Sequence, residues 1–336
     1  MSHEPVAGFP APLGAPPRYE PEREDRYESE RPAPPQKPRI WLHFLLFGLT
    51  ALSMQFTAME LNESAPPGQS LVGFAAYQSL SLLGILLVHE LGHYVAARLH
   101  RVPASIPYFL PLPRYSIFGT LGAVISMRDR IRSRNALLDI GAAGPIAGML
   151  VAIPVLAWGL SLSTITPRSE HYTQEGQSIL YWLMKRIVLG PIDANHDVQL
   201  HPMAFAGWGG LFLTMINLLP WGQLDGGHIA YALFGERQHV FARWVRRGLL
   251  VVFAYNLFTL LLPVLLKTSA QPWYAALGAS LFWLFWYGIT GLMGRFFGED
   301  HPPFEQGELS KPRKILAIGC LVLFVLLFLP TPFAIY

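Results

Sequence analysis

Apolar residues gather into seven stretches, at about 40–59, 71–93, 136–162, 203–221, 248–266, 273–294 and 314–332, each near twenty residues long. A helix of about 20 apolar residues matches the roughly 30 Å of bilayer hydrocarbon, so each stretch is expected to span. The pattern predicts an all-α polytopic membrane protein with about seven transmembrane helices. The segment between the second and third stretches breaks the rhythm. Val102 to Pro113 is apolar but interrupted by proline, and Ile117 to Met127 favours strand with glycine bends, which predicts a short reentrant β-hairpin-like segment there. Residues 1–39 are rich in Pro, Glu and Arg and cannot form a packed core, so they are expected to be a disordered cytoplasmic tail before a transmembrane domain at 40–336. The first apolar stretch begins near Ile40, which predicts an uncleaved anchor rather than a signal peptide.

Composition agrees. The chain is 52% hydrophobic and 14% charged, too apolar for an ordinary soluble enzyme. Its single cysteine, Cys320, excludes both a disulfide framework and a cysteine metal cluster. A net charge of +3 gives no support for nucleic-acid binding, and its distribution is more informative. Lys37 and Arg39 precede the first stretch, and Arg98, Arg101, Arg114, Arg128, Arg130, Arg132 and Arg134 lie between the second and third. Arg243, Arg246 and Arg247 precede the fifth, and Lys311, Arg313 and Lys314 the seventh. The positive-inside rule then puts the amino terminus in the cytoplasm and the carboxyl terminus outside.

The chemistry concentrates at His89-Glu90-Leu91-Gly92-His93. Imidazoles four apart share one helical face and can grip one zinc ion, and the glutamate between them can serve as a base toward water. From Leu71 to His89 a helix rises about 27 Å, which predicts that both histidines lie near the cytoplasmic boundary. A catalytic zinc takes a third protein ligand, which must reach the same depth. The fourth stretch ends there, in Asn217-Leu-Leu-Pro220-Trp-Gly-Gln-Leu-Asp225-Gly226-Gly227-His228. Taken alone, Asp225 could cap the next helix, but the shared depth makes it the natural third ligand.

His89-Glu-Leu-Gly-His93, Asn217-Leu-Leu-Pro220 and Leu224-Asp225-Gly226 together resemble the site-2 protease family of intramembrane zinc metalloproteases. Ala143-Gly-Pro-Ile-Ala-Gly148 resembles that family's third-helix packing motif. The resemblance covers residues 80 to 235 and implies a catalytic core at about 71–235. It implies one catalytic Zn2+ bound by His89, His93 and Asp225, with Glu90 as general base and Asn217 aiding substrate binding or stabilising the reaction centre. His228 is left beside the ligands without a role. The longest outside loop, 163 to 202, is smaller than a domain of about 50 residues, so the expected form is compact, without PDZ or CBS domains.

The implied activity is hydrolysis of a peptide bond in or near the transmembrane segment of a single-span membrane protein, releasing a cytoplasmic regulatory fragment. The implied setting is the lipid bilayer of a bacterial inner membrane. A helical substrate must unwind before water can attack, so the free edge of the segment around Ala123 and Ile125 is a candidate to pair with it, and an interfacial plug is the alternative. Ser178 to Leu189, with Leu180, Met184 and Val188 on one face, reads as an interfacial helix or as a restriction on substrate entry. Gly144, Gly148, Gly207, Gly209 and Gly210 would let helices approach closely. His43, Gln55, Gln78 and Asp139 are polar residues in or near spans, for which interhelical hydrogen bonds suffice as an account. A metal transporter would spread ligands along a crossing path and a noncatalytic binder of transmembrane segments would not need Glu90, and these are the competing classes.

Overall fold

The computed structural model describes residues 39–62, 64–127, 131, 133–168, 173–269, 271–297 and 307–335. The tail at 1–38 and the loop arginines Arg128, Arg130 and Arg132 lie outside them. Two helices open the described chain, α1 (Ile40–Asn62) and α2 (Leu71–Leu99). Ser70 starts α2 by accepting a hydrogen bond from the Gly73 amide. The helix runs six residues beyond the predicted end at His93, because Ala96 and Ala97 continue its packed face against Ala136 and Ile140. Gln55 and Gln78 act as interhelical hydrogen-bonders: Ser79 Oγ donates to Gln55 Oε1 at 2.6 Å, and Asn62 Nδ2 to Gln78 Oε1 at 3.1 Å.

A β-hairpin follows, β1 (Tyr108–Pro111) pairing antiparallel with β2 (Thr120–Val124). Ala123 sits opposite Phe109, whereas Ile125 falls just past the strand. The hairpin is fastened to α1, where Ser53 Oγ donates to the Gly119 carbonyl at 2.5 Å and Phe47 meets Phe109 edge-on. Gly119 has φ +73°, and a Cβ there would come within 2.7 Å of the Ser53 carbonyl oxygen, so only glycine fits.

Helix α3 (Arg134–Ser161) carries Pro145 and Pro154 within it and packs against α2. Beyond it lies an irregular cap. It contains β3 (Thr164–Pro167), β4 (Thr173–Glu175), α4 (Ile179–Leu189) and β5 (His196–Gln199). Leu180, Met184 and Val188 of α4 pack inward as expected, while Ile179, Trp182, Leu183 and Ile187 form an exposed apolar face. Buried Tyr181 donates to Glu175 Oε1 at 2.7 Å, beside Lys185 at 3.1 Å.

Helix α5 (Pro202–Asn217) is sunk in the core, with Phe205, Trp208 and Phe212 stacked along it. It crosses α3 with almost no side chain between, since a Cβ at Gly207 would lie 2.6 Å from Leu156 Cα. Then come α6 (Asp225–Phe234), a 3₁₀ turn, α7 (Gln238–Asn256), a π turn at Leu257–Leu261, and α8 (Leu262–Leu265). Helix α7 begins ten residues before the predicted stretch because its first turns are polar and arginine-rich.

The chain continues through α9 (Trp273–Phe297), α10 (Lys311–Leu327) and β6 (Phe333–Ile335). The predicted seventh span ends early, at Leu327, and the residues after it turn back to pair β6 with β4. Buried Asn256 helps hold that turn, donating to the Pro330 carbonyl at 2.8 Å, which also accepts from Trp283 Nε1 at 2.7 Å. Cys320 is buried within α10.

The described residues are therefore mostly helical with three two-stranded sheets, β1–β2, β3–β5 and β4–β6, a correction to the all-α expectation. Among the described residues five helical segments are long and apolar enough to cross a membrane: Ile40–Asn62, Leu71–Leu99, Arg134–Ser161, Asp225–Leu265 and Trp273–Arg295. The stretches at 203–221 and 314–332 form α5 and α10, of 16 and 17 residues, helical but short.

Candidate metal centre

His89 and His93 lie one turn apart in the C-terminal half of α2, both buried, with ring centroids 4.9 Å apart. They rest on α3, and that surface is built from glycine. A Cβ at Gly144 would overlap the His93 ring, and one at Gly148 would come within 3.1 Å of His89 Nδ1. The two glycines are four residues apart, as the two histidines are, so the antiparallel helices match one glycine to each ring. Gly92 completes the approach, since a Cβ there would lie 2.5 Å from the Ala143 carbonyl oxygen. The Ile140 carbonyl stands 2.8 Å from His93 Nδ1 and accepts a hydrogen bond from its N–H, which leaves the Nε2 lone pair for a metal.

The third group arrives through a tight reversal after α5. Leu218 ends the helix, Gly222 takes φ +52°, and α6 starts at Asp225. A Cβ at Gly226 or Gly227 would overlap the carbonyls of Leu218 and Gly222, so these glycines let the turn fold onto the first residues of α6. The fold brings Asp225 Oδ2 to 3.3 Å from both His89 Nε2 and His93 Nε2, which are 3.2 Å from each other. Asn217 Nδ2 lies 3.2 Å from His89 Nε2. Glu90 is buried, with His93 and Asp225 as its electrostatic neighbours. His228 packs over Gly141, also within the field of Asp225 and His93.

Do these residues fit a metal? A tetrahedral ion with bonds of about 2.0–2.1 Å sets its ligand atoms about 3.3–3.4 Å apart, and the three donor separations have that size. Asp225 Oδ2 is buried and accepts no hydrogen bond, an expensive state for a carboxylate oxygen unless a cation satisfies it. Two imidazoles and one carboxylate are a zinc donor set, with one position left open. The residues fit the ion.

Of the residues singled out from sequence, the fold brings together His89, Glu90, His93, Asn217, Asp225 and His228. It places the others elsewhere: His43 on α1, 3.3 Å from the Pro107 carbonyl, and Gln55 and Gln78 between α1 and α2. Ile140 and Gly141 carried no recognised signal. The spacing of Gly141, Gly144 and Gly148 against that of the histidines could have exposed the glycines, whereas a backbone carbonyl leaves no mark in a sequence.

The model of peptidase family M50 matches residues 77–261, more than half the chain. The chain belongs to peptidase family M50. That family is the one of the site-2 proteases. The chain is 36% identical over 224 residues to "Probable zinc metalloprotease EGY1, chloroplastic" of Arabidopsis thaliana, covering 63% of this chain and 38% of that protein. To "Probable zinc metalloprotease EGY2, chloroplastic" of Oryza sativa subsp. japonica it is 31% identical over 169 residues, 48% of this chain and 30% of the other. It is also 34% identical over 163 residues to "DDT domain-containing protein PTM" of Arabidopsis thaliana, 46% of this chain and 9% of that protein. The match thus spans well under half the length of the curated relatives. No solved structure matches the chain.

Proposed function

We propose that this M50 protein is an intramembrane zinc metalloprotease that hydrolyses a peptide bond in or near the transmembrane segment of a single-span membrane protein, releasing a cytoplasmic regulatory fragment. The observation that carries the reading is the triangle of His89 Nε2, His93 Nε2 and Asp225 Oδ2, 3.2–3.3 Å on each side, with Glu90 next to it in α2.

A zinc ion held by His89, His93 and Asp225 would supply Lewis acidity toward water and the scissile carbonyl. Glu90 accepts a proton as water attacks the peptide carbon and returns it to the leaving amide nitrogen. Asn217 Nδ2 offers a hydrogen bond to the oxyanion from beside His89. Burial of Glu90 and both histidines keeps bulk water from competing for these bonds.

The wider reading keeps a tail at 1–39, a transmembrane domain at 40–336 and a catalytic core near 71–235, which the family match at 77–261 overlaps. It keeps seven spans, with α5 and α10 as short crossings. The distribution of basic residues supports a cytoplasmic amino terminus and an external carboxyl terminus. The host membrane in this reading is a bacterial inner membrane; the two zinc metalloprotease relatives named above carry the word chloroplastic in their names. The β1–β2 hairpin is the candidate reentrant element. Its role would be to take the unwound substrate as a further strand, and exposed Leu121 and Val124 on β2 suit an apolar partner.

The decisive experiment compares purified wild type with Glu90→Gln on a transmembrane test substrate, with zinc analysis of both. Cleavage by wild type alone, with zinc retained by both, is expected. Equal cleavage by the two would overturn the mechanism, and zinc flux without cleavage would favour the transporter.

A further inference from the structure

Seven residues beyond His93, at the end of α2, His100 Nε2 lies 2.8 Å from Asp139 Oδ2 of α3 and donates to it. The same carboxylate is gripped by Arg313 from the first turn of α10, with Nη2 2.7 Å from Oδ2 and Nε 3.0 Å from Oδ1. Asp139 immediately precedes Ile140, the residue whose carbonyl fixes His93 Nδ1. Arg313 lies outside the region that the family model matches.

We infer that Arg313 is a positioning residue for the metal centre, acting through Asp139 on the hydrogen bond between Ile140 and His93. His93 and His100 are two helical turns apart on one side of α2, and their partners are consecutive residues on α3. The two helices are thus pinned to each other at two points, one of which is a candidate ligand. The pin at His93 has little tolerance. An N–H···O bond holds over only about 2.7–3.2 Å, whereas sliding one helix past the other by a single residue is about 1.5 Å. Gly144 under the ring provides a floor but no lateral stop, so the direction of Nε2 depends on where α3 puts the Ile140 carbonyl. Asp139 sets that place only while its own carboxylate is held, and the two-pronged grip of Arg313 holds it at both oxygens. Lysine, a point charge, cannot reproduce that grip.

This rests on the zinc-protease reading, and its test separates the two. Zinc affinity is measured on full-length protein in detergent by competition with a chelator, and the geometry of the centre by the visible spectrum of the Co2+-loaded form. Wild type should retain zinc and give a spectrum of low-symmetry four-coordination. Arg313→Gln and Asp139→Asn should each lose about 10–100-fold in zinc affinity, with an altered cobalt spectrum. The double variant should be no worse than the poorer single, because both remove one connection. Arg313→Lys should recover only part of the loss.

Asn256→Ala serves as the control for general loosening, because its bonds lie in another part of the fold, and it should keep wild-type affinity and spectrum. Wild-type zinc affinity in Arg313→Gln, losses that simply add, or an equal loss in Asn256→Ala would overturn the positioning role. Absence of zinc from wild type itself would overturn the protease reading, and this inference with it.

Discussion

The inner bundle and the outlying helices of this M50 protein are both apolar, but they are ordered by different means. Half of the most apolar window of α3 is buried, against 11% for the one within Asp225–Leu265 and 22% for that of α9. In the bundle of α2, α3, α5 and α6, backbones approach closely at Gly92, Gly144, Gly148, Gly207 and Gly226. In α7 to α9 few side chains are fully buried, and hydrogen bonds such as those of Asn256 and Trp283 to Pro330 add to the packing. Substitutions in the first region should therefore alter chemistry and stability together, and those in the second stability alone.

The sharpest way to break that contrast is Gly144→Val, whose side chain would occupy the position of the His93 ring. Cleavage should fall on the order of 10³-fold, as when a catalytic group is lost, and purified protein should contain little zinc. Normal zinc content would show that α3 is not the floor of the site. Next comes Gly207→Leu, which forces α3 and α5 apart and should destabilise the protein by about 3 kcal/mol, read from unfolding in mixed detergent. A change within error would mean that the crossing is looser than its geometry.

In the outlying region, Asn256→Ala should lower stability by about 1–2 kcal/mol through lost hydrogen bonds, with kcat per folded molecule unchanged. A reduced kcat would erase the distinction between the two regions. Smallest of all, Phe258→Leu at an exposed position of the π turn should stay within about 0.5 kcal/mol of wild type by the same unfolding measurement.

How far the site could be read from sequence follows the same division between side chains and backbone. His89, Glu90 and His93 declare themselves by spacing, and Asp225 by lying in a glycine-rich break after an apolar run. The Ile140 carbonyl does not, because any residue type would present one. Gly144 and Gly148 looked like ordinary packing glycines, since sequence does not say which neighbour a bare Cα faces. Apolar length located α1, α2, α3 and α9, but it misjudged the start of α7, where an arginine-rich amphipathic turn continues the helix. It also missed the pairing of β4 with β6, strands about 160 residues apart, for which no local pattern exists. The link from Arg313 to Asp139 is equally distant, and both residues read as isolated charges until the helices are assembled.

One buried atom offers a way to time that assembly. Cys320 is the sole thiol of the chain and is 3% exposed in α10, the helix that carries Arg313. A maleimide can reach it only when α10 lifts from its neighbours, so the labelling rate is a clock for that event in the native protein. No reporter has to be engineered in. Comparing the clock before and after chelation would show directly whether filling the site tightens a helix that contributes no ligand to it.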